Sequence, residues 1–169
     1  MIQYVEALAD DAMSNMFGIL FPEGIPGGGN AELLRLRMDQ AFDEPERAVG
    51  KYDINFEGIR IPKTGSEETT KEFSLQFRID GNYNVHRAIK NWWNLVLNPD
   101  TGAMGLESET RCSMIINHYG PPNKTIKYSK RFNGVKITNY KPSSHDPNDA
   151  ATPSRVECQF IYASVDDLL

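Results

Sequence analysis

The chain contains 169 residues, of which 40% are hydrophobic and 24% are charged. This composition is typical of a globular protein and excludes a disordered chain, which would be poorer in apolar residues. Lys and Arg number 18 against 23 Asp and Glu, and the resulting net charge of −5 argues against a protein that grips nucleic-acid phosphates. The length favours a single domain over residues 1–169.

The beginning of the chain, MIQYVEALADD, carries acids where a secretory signal peptide carries bases. No stretch of the sequence reaches the roughly 18 consecutive apolar residues of a membrane-spanning helix. We therefore expect a protein that is made in the cytoplasm and has no membrane anchor.

Alternation of apolar and polar residues recurs along the chain and predicts a mainly β fold of about eight strands. The clearest runs are Leu34 to Met38, Glu72 to Asp80 and Val156 to Tyr162. Weaker runs are Met16 to Phe21, Lys51 to Ile61, Arg111 to Tyr119, Thr125 to Phe132 and Val135 to Tyr140. Because one side of each run is apolar, each of these strands should be half-buried.

Turn and loop residues separate these runs. The pair Asn133-Gly134 lies between two of them and predicts a tight hairpin, since this dipeptide favours the positive φ angles of such turns. Two segments rich in Pro, Gly, Ser and Asp predict loops, one over Pro22 to Asn30 and one over about residues 142–154.

One segment changes to helical spacing and predicts a single amphipathic helix over about residues 84–97. Asn82 or Asn84 could cap its start, and Asn98-Pro99 should end it. Its apolar positions are Val85, Ile89, Trp92, Trp93 and Val96. Adjacent tryptophans on such a helix indicate one ring in the core and one at the rim or in a subunit contact.

Residues with catalytic or metal-binding chemistry are scattered. His86, His118 and His145 have no acid, cysteine or second histidine at ligand spacing, so we predict no metal, cofactor or catalytic site. Cys112 and Cys158 each lie within a strand-like run and should be buried thiols. The basic stretch from Lys124 to Lys136 would split between two faces of a strand, which does not favour a nucleic-acid groove.

The order of these elements is distinctive. A short strand over Asn15 to Leu20 precedes a long strand and hairpin through Leu34 to Ile61. The run Thr69 to Asp80 then feeds directly into the tryptophan-bearing helix, and Val156 to Tyr162 closes the chain. This order resembles the major tail tube proteins of contractile-tailed bacteriophages, whose fold is shared with the tubes of tailocins and type VI secretion systems.

The resemblance implies a β-sandwich or partial barrel that is a structural protein of the virion and no enzyme. Edge strands of neighbouring copies would join in a hexameric ring lined by one continuous β-barrel, and rings would stack into a tail tube that conducts DNA during ejection. The implied partners are further copies of the chain, a sheath and a baseplate, with DNA passing non-specifically and no cofactor.

The resemblance also suggests which residues carry this assembly. The hairpin over Leu34 to Ile61 would contribute to the inner wall, and the loop Lys63 to Lys71 would contact the next ring. The candidate bore-facing acids are Asp39, Asp43, Glu44 and Asp53. The candidate inter-ring residues are Lys63, Glu67, Glu68 and Lys71, and the candidate core or interface residues of the helix are Ile89, Trp92 and Trp93.

Other functions fit the same sequence. Within the structural class these are a tube initiator or baseplate protein, or a tube subunit of the tailocin or type VI kind. Outside it, a monomeric β-sandwich that binds a small ligand is the main alternative. An enzyme comes third, because no two titratable groups are placed for paired acid and base roles.

Overall fold

The computed structural model describes residues 17–38, 42–120, 125–142, 147–149 and 151–168. Within these residues there are eight strands and three helices, which confirms the mainly β prediction. The elements in chain order are β1 (Phe17–Leu20), α1 (Ala31–Arg37), β2 (Val49–Phe56), β3 (Ile59–Glu67), β4 (Glu72–Arg78), α2 (Asn84–Val96), α3 (Glu107–Thr110), β5 (Cys112–Gly120), β6 (Thr125–Pro142), β7 (Arg155–Ile161) and β8 (Ser164–Asp167).

Six strands form one antiparallel sheet in the order β1-β5-β6-β7-β4, with β8 also paired to β6. The 18-residue strand β6 joins its two halves, because its first part pairs with β5 and β8 and its last part pairs with β7. The strands β2 and β3 pair only with each other and form a separate two-stranded ribbon.

The core lies between the sheet and α2. Alternate residues of β4 and β7 are buried, and the paired residues Phe73 and Phe160 stack with ring centroids 5.4 Å apart. The helix α2 lies against β6 and buries Ile89 and Trp92 completely. Trp92 packs on Phe160 at 5.3 Å between centroids, so the helix and the sheet share one apolar interior. None of the helices in the described part of the chain is long and apolar enough to cross a membrane.

The strand predicted over Leu34 to Met38 is wrong, since Leu34 to Arg37 lie in helix α1 and Met38 is its C-cap. Asn30 caps it by accepting a hydrogen bond of 3.2 Å from the backbone amide of Leu33. The first turn carries Glu32 and the last turn carries arginines, which suits the helix dipole. The capped helix, which buries Leu34, is therefore favoured over the strand that five alternating residues predict.

The hairpin predicted at Asn133-Gly134 is also wrong, because β6 continues through both residues. Between the pairs Cys112–Val135 and Met114–Phe132, one residue of β5 faces two of β6. This is a β-bulge, and Gly134 has the positive φ of 66° that such a bulge accepts. The dipeptide thus supplies positive φ inside a strand instead of at a turn.

Two further boundaries differ from the sequence prediction. The strand expected over Lys51 to Ile61 is a hairpin, and the loop expected over Lys63 to Lys71 is β3 as far as Glu67. The hairpin expected through Leu34 to Ile61 accordingly spans Val49 to Glu67.

The helix predicted over about residues 84–97 is confirmed as α2, but neither Asn82 nor Asn84 caps it. Its start is fixed by Asp80, whose Oδ1 accepts a hydrogen bond of 3.1 Å from the amide of Val85. This bond is the main cause that lowers the pKa of the Asp80 carboxyl. Tyr83 precedes the helix in a left-handed conformation with φ of 58°.

Candidate assembly surface

The β2–β3 hairpin is the candidate assembly surface, and its turn explains how it forms. Phe56 pairs with Ile59, which leaves Glu57 and Gly58 as a two-residue loop. Both loop residues have positive φ, 49° and 82°, which is the geometry of a type I′ turn. Since the twist of that turn matches the twist of paired strands, a tight ribbon follows.

The two faces of this hairpin differ in chemistry. Residues directly opposite each other in an antiparallel pair lie on the same face, so Ile54 shares a face with Ile61 and Phe56 with Ile59. We call this the apolar hairpin face; its members are Tyr52, Ile54, Phe56, Ile59 and Ile61. The opposite face is polar, and there Asp53 and Arg60 form a salt bridge across the strands.

The apolar hairpin face is uncovered in the single chain. Gly50 is the one buried residue of the two strands, and all the others are exposed. At the tip Phe56 is 61% exposed and Ile59 is 65% exposed. A contiguous exposed apolar surface of this kind marks a contact with another molecule.

The root of the hairpin is fixed to the rest of the chain. The amide of Glu68 donates to the carbonyl of Ala48 at 2.9 Å, and the amide of Ala48 donates to Thr69 Oγ1 at 3.1 Å. Lys71 Nζ donates to the carbonyl of Ala163 at 3.1 Å, which ties the strand that follows to the end of the chain. The hairpin is therefore an arm with a defined origin.

The four acids proposed for the bore have different surroundings. Asp39 lies outside the described residues. Asp43 is exposed, whereas Glu44 forms a salt bridge with Lys130 and lies within hydrogen-bond distance of His118 Nε2, at 3.0 Å. Asp53 is paired with Arg60 on the polar hairpin face. The structure thus places bases beside two of the acids that the sequence singles out.

The proposed inter-ring residues lie along one continuous stretch. Lys63 and Glu67 lie on β3, and Glu68 and Lys71 lie in the connection to β4. Lys63 is opposite Tyr52 and so belongs to the apolar side of the hairpin. Of this group, Lys63 is the residue that the fold brings to the candidate surface.

The proposed helix residues divide between interior and rim. Ile89 and Trp92 are fully buried. Trp93 is half-buried, and its ring meets that of Tyr140 edge to face at 5.8 Å between centroids. The three residues stand on the α2 side of the sheet and not on the hairpin.

The two cysteines lie in surroundings that make their thiols unreactive. Both cysteines are buried free thiols, as predicted, and burial raises the pKa of Cys112 to about 12 and raises that of Cys158 as well. The described residues contain no group of three or more His, Cys, Asp or Glu side chains arranged to hold a metal ion.

Sequence comparison gives no relative, since no family model and no curated protein matches the chain. Structure comparison finds solved proteins of similar fold. The sheath/tube terminator of the PVC extracellular contractile injection system, in its extended state, aligns with a TM-score of 0.66 at 10% identity, over 96% of this chain and 99% of the other. The fold is tail-tube-like.

Two other solved structures share this tail-tube-like fold. The sixfold-symmetrised baseplate of the anti-feeding prophage matches with a TM-score of 0.64 at 8% identity, over 95% of this chain and 97% of the other. The PVC sheath-tube complex in the extended state matches with a TM-score of 0.61 at 10% identity, over 97% and 95%. The resemblance drawn from the order of elements is therefore confirmed at the level of the fold.

Proposed function

We propose that this chain is the structural subunit of a phage tail tube, in which hexameric rings stack into a channel that conducts DNA during ejection. The observation that carries the proposal is the apolar hairpin face, exposed on a chain with a tail-tube-like fold. An exposed apolar arm of this kind is suited to contact with another copy.

Energetics support such a contact. An isolated two-stranded hairpin is marginally stable in water. Each Tyr, Ile or Phe side chain of the apolar hairpin face contributes roughly 1.5–3 kcal/mol when it passes from full exposure to full burial. Repeated around a ring, such contacts hold an assembly that no single contact would hold.

Sheet edges support ring closure. The strand β4 ends the main sheet, and on its outer side the described residues give it one isolated bridge, between Met38 and Phe77. The strand β1 ends the opposite side. Open edges promote uncontrolled association unless they have a designated partner, and a neighbouring copy in a closed ring is such a partner. Hexameric symmetry is in keeping with the sixfold-symmetrised baseplate that shares the fold.

The bore is proposed to face the polar side of the hairpin. With the apolar hairpin face turned to a neighbouring copy, Asp53, Asn55 and Arg60 face the channel. Asp53 is neutralised by Arg60, and the other charged side chain of this face between residues 51 and 64 is Lys51, so the wall has little net charge. DNA would slide past such a wall without being held, since tight binding requires many phosphate contacts. A sheath and a baseplate are the proposed partners in the virion.

A tube-end protein is the second candidate, favoured by the likeness to a sheath/tube terminator. A terminator stacks through one side only. It would therefore form single or paired rings, whereas a tube subunit forms long stacks.

Substitution of the hairpin tip tests the tube proposal. The double variant Phe56→Ser, Ile59→Ser removes two side chains of the apolar hairpin face, and Lys51→Ser, Asn55→Ser on the polar face is the matched control. On a sizing column the first variant should elute as a single copy at concentrations where the control and the wild type assemble. At concentrations too low for assembly, its thermal unfolding should match that of the control, since neither pair is buried. Assembly of both variants to the same extent would contradict the proposal.

A further inference from the structure

A second exposed apolar surface lies at the C-terminal end of α2, away from the hairpin. We call it the α2-end patch, and its members are Leu95, Met104 and Leu106. Met104 is 71% exposed, the highest value among the large apolar residues of the described chain, and Leu106 is 65% exposed. Side chains of this size are rarely left in water as a group without a partner.

The backbone holds this patch in a fixed position. Leu97 and Met104 form an isolated β-bridge, and the amide of Gly105 donates to the carbonyl of Val96 at 3.1 Å. Gly105 lies so close to the helix end that an added Cβ would stand 2.0 Å from the carbonyl oxygen of Leu95. Only glycine fits there. The residues on either side of it are consequently presented next to Leu95 on a rigid support.

The surroundings of the patch are acidic. From Leu97 to Thr110 the sequence contains Asp100, Glu107 and Glu109 and no lysine or arginine. Glu107 is occupied by salt bridges to Lys136 and Arg111, while Asp100 and Glu109 are exposed on the same segment. A partner surface suited to the patch is apolar with a basic residue at its margin.

We propose that the α2-end patch receives the apolar hairpin face of a second copy of this chain. That face has the required chemistry, because between residues 51 and 64 its one charged side chain is Lys63. Lys63 would then lie against Asp100 or Glu109, and the two sets of exposed apolar side chains would cover each other. The inference rests on the proposed tube function and names the surface that the hairpin binds.

The geometry of such a contact explains ring formation. The apolar hairpin face and the α2-end patch are different surfaces of one chain, so the contact is head-to-tail and every copy can use both surfaces. Head-to-tail contacts close into a ring when the rotation from copy to copy completes a full turn. A contact between two hairpins would instead occupy the apolar hairpin face of both copies, and the assembly would end as a dimer.

Cysteine cross-linking tests this pairing directly, because both native thiols are buried. Ile59→Cys on the hairpin is mixed with a size-tagged Met104→Cys variant, and disulfide formation is followed under mild oxidation. The control mixes Ile59→Cys with Leu36→Cys, a residue that is 62% exposed on α1, outside the patch. Since a disulfide requires close Cβ atoms, we expect the hairpin–patch pair to cross-link at least about 10-fold faster than the control pair.

A charge reversal separates specific docking from general apolar adhesion. Adding Lys63→Glu to the hairpin variant should slow the cross-link, and adding Asp100→Lys and Glu109→Lys to the patch variant should restore it. Equal rates for the hairpin–patch and control pairs, or no response to the charge reversal, would overturn the pairing. If wild-type rings still stack in that case, the tube function stands without it. If the wild type forms neither rings nor stacks, both fail.

Discussion

The indole Nε1 of Trp92 donates a hydrogen bond of 2.9 Å to the carbonyl oxygen of Thr110. Both residues are fully buried, and the bond links α2 to the short helix α3. It satisfies a carbonyl that water cannot reach, so the segment carrying the α2-end patch is attached to the core.

Replacing Trp92 by Phe should therefore lower the free energy of unfolding by more than the loss of buried ring area alone would. The variant leaves the Thr110 carbonyl without its donor, and an unsatisfied buried polar group costs about 1–3 kcal/mol. Trp93→Phe is the matched control, because Trp93 is half-buried at the rim. Urea unfolding should show a larger loss for Trp92→Phe than for Trp93→Phe. Equal losses would mean that the hydrogen bond contributes nothing.

Gly134 should resist substitution because of its position in the β6 bulge. Gly134→Ala forces an L residue to φ of 66° and brings its Cβ to 3.1 Å from that of Ala163. Gly102→Ala is the control, with a φ of 68° and open space around the added atom. The shared left-handed conformation costs about 1–2 kcal/mol in each variant. We expect a lower unfolding midpoint for Gly134→Ala, and the reverse order would show that the bulge tolerates the side chain.

The stability contributed by Glu107 should depend on pH. Hydrogen bonds from Lys136 and then from Arg111 hold the pKa of the Glu107 carboxyl below its ordinary value of 4.5. A lowered folded-state pKa gives stability that is present above the unfolded pKa and is lost as the pH falls through the folded one. Glu107→Gln should thus be less stable than the wild type at pH 7, and the gap should shrink below pH 4.5.

The control for this prediction is Glu109→Gln, on the same short helix. Chemical unfolding at neutral and acid pH should show little change for it at either pH. A gap between wild type and Glu107→Gln that stayed constant on acidification would contradict the ion-pair explanation.

The two native thiols should be inert until the protein unfolds. Burial raises the pKa of Cys112 to about 12 and also raises that of Cys158, and the thiolate is the reactive form. At pH 8, labelling of the folded protein should be at least about 100-fold slower than labelling in denaturant. The exposed Ile59→Cys variant provides a fast positive control. Rapid labelling of either native thiol would place it at the surface.

Strands with regular burial could be predicted from the sequence. In β4 and β7 every second residue faces the core, so alternation and burial coincide over seven residues each. Alternation predicted the wrong structure in segments where a cap or a positive φ angle determines the backbone. At Leu34 to Met38 the cap at Asn30 decides for a helix, and at Asn133-Gly134 positive φ serves a bulge because β6 has strand partners on both sides of it.

The candidate site was predicted only in part. Asp53 and Lys63 were singled out, and both lie on the hairpin. Its turn at Glu57-Gly58 was missed, although a glycine between two alternating runs was a signal for it. Alternation indicates a half-buried strand, but it cannot tell whether the covering surface belongs to the same chain. Exposure of the apolar hairpin face therefore required the structure.

Electron microscopy of the concentrated wild-type protein tests the central claim most directly. In negative stain, a tube subunit should appear as hexameric rings and as hollow stacks of rings that lengthen with concentration. The Phe56→Ser, Ile59→Ser variant imaged beside it should show no stacks. A wild-type protein that remains a single copy at every concentration, without rings, would contradict the claim that this chain builds a tube.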